Sequence, residues 1–220
     1  MSFPDGTLPL PWLAAGWATL GLLAAWWWVR ARAARPGVFN FNLWLASCAL
    51  VAALWLVRAG VDPGLTLHFV GAAALYLMFG APLAIAGIGL VAIVAAALGA
   101  GGWQALPWQV LLDGALPVGV VHLARRALER RLSPNPFVYF IGIAFFASGL
   151  SLAAVAVASA LLHAALGHYT VGYLMDNYLP YALLLAFGEA FLTGTLITVF
   201  VVYRREWVAT FDDARWLRRP

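Results

Sequence analysis

Lysine is absent from this 220-residue chain, and all 13 basic residues are arginine. No G-x-x-x-x-G-K loop is present, so the chain has no ATP site of its own. Charge is scarce, at 10% of residues. Soluble globular domains carry about 25%, so with 64% hydrophobic residues and a mean hydropathy of +0.89 a soluble globular domain is excluded. The single cysteine, Cys48, lies in an apolar run and excludes an intrachain disulfide. The opening Met1-Ser2-Phe3-Pro4-Asp5-Gly6 lacks a basic leader, so no cleavable signal peptide is expected. The net charge of +4 does not indicate nucleic acid, because the arginines cluster between apolar runs and not on one long basic face. The longest polar stretches are Arg125–Pro136 and Arg204–Pro220, too short to hold a soluble domain. No internal repeat of the secondary-transporter kind is visible. No catalytic dyad stands at a useful spacing, so the chain reads as a non-enzyme.

What is present is apolar length. From Thr66 to Gly99, 34 residues contain no charged side chain, unless His68 is protonated. A bilayer core of roughly 30 Å takes ~20 apolar residues per helix, so this run suits two spans joined at Gly80-Ala81-Pro82. The chain reads as an all-α, multi-pass membrane protein of about seven helices. The predicted spans are Leu8–Val29, Phe41–Val57, Leu67–Phe79, Pro82–Leu98, Leu106–Ala124, Phe137–Leu166 and Tyr178–Tyr203. Residues 1–203 form a single transmembrane domain, followed by a short basic tail over 204–220. With that count, 12 of the 13 arginines fall on one face and only Arg58 on the other. The positive-inside rule makes the arginine-rich face cytoplasmic, with the N-terminus outside and the C-terminus inside.

Ionisable groups at membrane depth are costly, and each is a functional candidate. Asp113 lies about two turns into the fifth span, where Gly114 and Pro117 can loosen the backbone around a carboxylate. Glu189 stands near the middle of the last span, between Gly188 and Gly194, which suit close helix packing. It is expected to anchor that span by hydrogen bonding, about 15 Å below the donors at the outer surface. A glutamine there should keep much of the bonding. His163 and His168 are five apart and not the three or four that share a helix face, so a two-histidine metal site is not expected there. The N-terminus is short enough to tuck between helices. A terminal amine and the next amide make a planar nitrogen set suited to Ni(II) or Cu(II), and Pro4 limits such a run to Phe3. The plainer alternative is an ordinary lead-in to the first span.

Four motifs, in order along the chain, carry a family resemblance. Met1-Ser2-Phe3-Pro4-Asp5-Gly6 is similar to a Met-His-Ile-Pro-Asp-Gly start. His68, Gly71 and Leu77 to Pro82 resemble an H-x-x-G…L-L-G-P-W stretch. Leu98 to Leu106 resembles F-G-D-G-G-L-x-A-L, and Gly188 to Thr193 resembles E-[AG]-x-x-T. Together they resemble the cobalt/nickel-transport membrane proteins of energy-coupling-factor ABC transporters, the CbiM/NikM type. The resemblance implies a membrane-embedded, metal-binding permease subunit in a bacterial inner membrane, working with a transmembrane coupling subunit and cytoplasmic ATPase subunits. Co(II) or Ni(II) would be the transported substrate. Carried over residue by residue, it nominates Met1, Ser2 and His68 as metal donors, with Asp5, Asp113 and Glu189 as supporting polar groups. The chain departs from the pattern at Ser2, where the family has histidine, at Ala100, where it has Asp, and at Gln109 and Leu112, where it has an Asn pair. A small second residue also invites removal of the initiator Met. Either the metal site is rebuilt, with Asp5 or Asp113 as candidate donors, or the substrate differs. The alternative function is a divergent, non-transporting interaction or assembly subunit on the same scaffold.

Overall fold

The computed structural model describes residues 5–33, 40–62 and 64–217. The first helix, α1 (Leu10–Ala33), runs 24 residues, and α2 (Phe41–Leu56) opens on Asn40, whose side chain accepts the Leu43 amide. A short antiparallel hairpin follows, β1 (Ala59–Asp62) and β2 (Leu65–Leu67), paired Ala59 to Leu67. Then come α3 (Ala72–Phe79) and α4 (Ala81–Ala97). The helix α5 (Leu106–Arg131) contains a π-helical turn at Leu111–Ala115, and α6 (Val138–Ala165) begins with a π-helical stretch at Val138–Ala147. The short α7 (Val171–Asn177) leads into α8 (Leu179–Tyr203), and α9 (Asp213–Trp216) ends the described chain.

By length and composition α5, α6 and α8 are long and apolar enough to cross a membrane. Leu10–Ala25, Phe41–Leu56 and Ala81–Ala97 are shorter apolar helices. The protein is a polytopic, all-α membrane protein with one small hairpin. Small residues set the closest approach: a Cβ on Gly149 would lie 3.0 Å from the Ala190 Cβ, which brings α6 against α8. The π-turn in α5 has a local cause. Pro117 lacks the amide that would close the Asp113 carbonyl, and the Leu116 amide reaches back to Leu111 instead.

The third predicted span is corrected. Leu67–Phe79 is not one helix but the end of β2, a non-helical loop over 68–71, and α3. Eight helical residues give about 12 Å, well short of a bilayer core. Gly71 at φ +71° starts α3 and Gly80 at φ +81° ends it, so the run is punctuated on both sides by left-handed backbone. Irregular backbone at this depth is tolerated only where protein satisfies it, and here it does. The Val70 and Gly71 amides donate to Glu189, and the Trp55 indole donates to the Val70 carbonyl. At the other end the Leu77 carbonyl accepts the Thr210 amide and hydroxyl, and the Met78 carbonyl accepts the Ala209 amide. The segment after Tyr203 therefore folds back to cap α3, with Trp216 buried against Tyr139.

Candidate metal centre

Apolar sequence around a single imidazole positions the centre. His68 sits in the loop between β2 and α3 with its side chain only 3% exposed. Its Nδ1 lies 3.1 Å from the Phe69 carbonyl oxygen. A carbonyl can only accept, so Nδ1 carries the proton and the Nε2 lone pair is left on the opposite side of the ring. There Nε2 faces the Asp113 carboxylate, with Oδ2 at 4.0 Å. That distance exceeds a hydrogen bond. It is close to the separation of two donors that stand trans to each other across one ion, about 4.1 Å, as in a square-planar site. The Trp55 ring packs on the imidazole with centroids 4.7 Å apart and closes one face of the site.

Glu189 meets this loop from α8. Its Oε1 accepts the Gly71 amide at 2.9 Å and its Oε2 the Val70 amide at 3.1 Å. The carboxylate thus sits at the N-terminal end of α3, where two backbone amides and the helix dipole favour negative charge. Both oxygens are committed to backbone. The expected vertical separation between His68 and Glu189 is not found: the two meet on one four-residue loop. An extended segment advances about 3.3 Å per residue against 1.5 Å in a helix, so a span that opens on a strand carries His68 deeper than a helix would.

Asp5 lies at the hairpin end of the bundle. Its Oδ1 accepts the Gln104 amide at 2.8 Å, and the Gln104 Oε1 accepts the Gly6 amide at 3.3 Å. This reciprocal clasp fixes the lead-in of α1 over the start of α5, and Leu8 is buried nearby with Ala105 and Leu112. The structure therefore brings His68, Asp113 and the Glu189-held loop together and ties Asp5 above them. Met1 and Ser2 lie outside the described residues. Among the described residues no group of three or more His, Cys, Asp or Glu side chains is placed to hold a metal.

Trp55 was not legible as a site residue, since it reads as one more interfacial aromatic in the second span. Gln109, at one of the positions that depart from the family pattern, is buried and packs toward Gly101, where a Cβ would come within 3.0 Å of its Oε1. The Ala100 carbonyl, at another such position, accepts from Arg58, so the one arginine expected to stand apart from the others is used structurally.

Comparison with known proteins bears on this arrangement. Residues 2–207 match the model of a family described as the cobalt uptake substrate-specific transmembrane region, CbiM. A solved structure described as a truncated transition metal transporter is similar in fold, with a TM-score of 0.74 at 20% identity, covering 92% of this chain and 98% of that one. A search of curated proteins finds no match.

Proposed function

The chain belongs to the CbiM family, the substrate-specific transmembrane region of cobalt uptake, and on that premise we propose that it is the metal-binding permease subunit of an energy-coupled importer for cobalt or nickel. It is a membrane protein of metal uptake; its resemblance is to transport proteins and not to enzymes. Residues 1–203 are one transmembrane domain of about seven spans, the third of them half extended and half helical. The arginine-rich ends of α1, α5 and α8 face the cytoplasm of a bacterial inner membrane. A transmembrane coupling subunit and cytoplasmic ATPase subunits supply the energy, since the chain carries no ATP site.

The observation that carries the metal reading is the buried His68–Asp113 pair, with Nε2 and Oδ2 4.0 Å apart and the imidazole fixed in its Nδ1–H tautomer. A neutral imidazole and a carboxylate suit a divalent transition metal. The remaining donors in this reading are the terminal amine and the next amide nitrogen. Reach supports it: four residues precede Asp5, enough for about 13 Å of extended chain. The nine residues from Gln104, where Asp5 is clasped, to Asp113 cover about the same length of helix. With Ser2 in place of histidine, Asp113 makes up the missing donor.

The test is Co(II) and Ni(II) binding by the purified chain in detergent. Wild type should bind either ion, and His68→Gln should abolish the tighter binding with folding retained. Unchanged affinity in His68→Gln would exclude His68 as a ligand and favour the non-transporting alternative.

A further inference from the structure

A pair of imidazoles, His163 and His168, lies away from His68. Helix α6 ends at Ala165, and Gly167 at φ +72° turns the chain back. The Gly167 amide donates to the Ala164 carbonyl, and the His168 amide donates to the His163 carbonyl at 3.1 Å. This left-handed helix stop folds His168 over the last turn. As a result the Nδ1 atoms of His163 and His168 stand 3.2 Å apart. The five-residue spacing that argues against a shared face in a continuous helix brings the rings together once the helix has ended between them.

The geometry points to a metal-capture site. At metal–nitrogen bonds of 2.0–2.1 Å, two imidazoles on one ion hold their nitrogens about 2.9 Å apart at a right angle and about 3.3 Å apart at the tetrahedral angle. The observed 3.2 Å falls inside that interval. His163 is buried and fixed beside the Gly64 backbone, whereas His168 is exposed, so one ligand is pre-positioned and the other is open to the surface. Gly64 also lines a recess of about 500 Å³ together with Asp5, Arg58, Asp62 and Thr66. Tyr173, stacked on Tyr169 at the same end, donates its hydroxyl to Asp62, which raises the phenol's pKa. Strand β2 begins one residue after Gly64 and ends one residue before His68. The four-residue advance from Gly64 to His68 covers about 13 Å of extended chain.

We propose that His163 and His168 form a surface site that takes a hydrated divalent transition-metal ion through both Nδ1 atoms, beside the recess that Gly64 lines. For its cargo this rests on the metal-uptake reading; for its geometry it does not. Water fills the remaining coordination positions. The ring that carries its proton on Nδ1 moves it to Nε2, so binding two neutral imidazoles releases no net proton. Two protein donors with water hold an ion more weakly than a closed site does, which suits capture and onward release.

The experiment is equilibrium dialysis of the full chain in detergent against CoCl2 alone, with visible absorption of the bound Co(II). Wild type, His168→Gln, His68→Gln and the double variant are compared. His168 is exposed, so its replacement leaves the fold intact, as circular dichroism checks. Wild type should bind two ions per chain. His168→Gln should lose the weaker one, and His68→Gln should keep it. Binding by His168→Gln equal to wild type in both backgrounds overturns the inference and makes the contact a hydrogen bond that closes the helix end. Loss of an ion in His168→Gln, with none lost in His68→Gln, sinks the His68 centre and leaves this site standing.

Discussion

The Glu189 carboxylate accepts the Gly71 amide at 2.9 Å from 118 positions further along the chain. With the Val70 amide on its other oxygen, it holds the start of an eight-residue helix. The far end of that helix is held by Ala209 and Thr210. Helix α3 is thus a half-length element whose two ends are finished by other parts of the chain. The loop that carries His68 lies at one end and the segment after α8 at the other. Unsatisfied ends of this kind cost about 1–3 kcal/mol per group when buried, so both caps contribute to a unique position for His68.

Glu189→Gln is expected to be worse than sequence reasoning suggests. Both carboxylate oxygens accept backbone amides, and a glutamine offers only one acceptor oxygen. Its NH2 would face a second N–H donor. Thermal melting should show a loss of about 1–3 kcal/mol for Gln and a larger one for Leu. A melting temperature unchanged in Glu189→Gln would mean that one of the two amides has no need of the carboxylate.

The segment after Tyr203 is expected to behave as part of the membrane domain. The Thr210 hydroxyl donates to the Leu77 carbonyl at 2.7 Å, so the Tyr139 hydroxyl, 2.7 Å away, is the donor to Thr210. Thr210→Val keeps the shape and removes both bonds. It leaves the Tyr139 hydroxyl buried without that acceptor, at about 1–3 kcal/mol. Adding Tyr139→Phe should restore part of the loss, because no donor is then stranded. Thermal melting of the two single variants and the double variant checks this, and simple additivity would count against the coupling.

The long helices were legible because apolar length alone specifies them: Leu106–Arg131, Val138–Ala165 and Leu179–Tyr203 fall within a few residues of the predicted spans apart from the extra turns at the C-terminal end of α5. Asp113 could be marked as unusual because Gly114 and Pro117 sit beside it, and a π-helical turn forms there. The hairpin and the broken third span were not legible. An apolar run reads the same whether it is helix or buried strand, and the partners that make the break tolerable, Glu189 and Trp55, come from distant positions. Gly71 and Gly80 were local signals for the break, but a glycine in an apolar run also fits close helix packing. The His163–His168 contact was hidden for a related reason. Helical spacing rules stop applying where the helix stops, and Gly167 marks that point.

The proposed orientation predicts which end of the bundle meets each aqueous phase. Single cysteines at Ser2 and Leu217, in a Cys48→Ala background, would be labelled by a membrane-impermeant maleimide on intact cells. Residue 2 should react and residue 217 should react only after lysis. Labelling of both from outside would remove the seven-span count, because an odd number of crossings separates the two ends.

Ser2→His should tighten metal binding if the N-terminus supplies donors to the His68 centre. The substitution adds an imidazole at the position where the resembled family has one. Competition with a chromogenic chelator should report at least a tenfold gain in Ni(II) affinity, or about 1.4 kcal/mol. No gain would mean that residue 2 does not reach the metal.

Asp113→Asn separates charge from shape at the buried pair. The carboxylate Oδ2 lies 4.0 Å from the His68 Nε2, within reach of an ion that the imidazole binds. A negative charge beside a dication in a low-dielectric site is strongly favourable, and an amide of the same size supplies only a dipole. Ni(II) and Co(II) affinity should therefore fall by about 10–100-fold, as for other groups that support a metal ligand. The fold should survive, since asparagine keeps the volume and an acceptor oxygen at that place. Measured together, metal affinity and melting temperature distinguish the two roles open to Asp113. A loss of affinity with stability retained assigns the charge to the metal. A loss of stability with affinity retained would assign Asp113 to the packing of the π-helical turn in α5 and leave His68 without its carboxylate partner in metal binding.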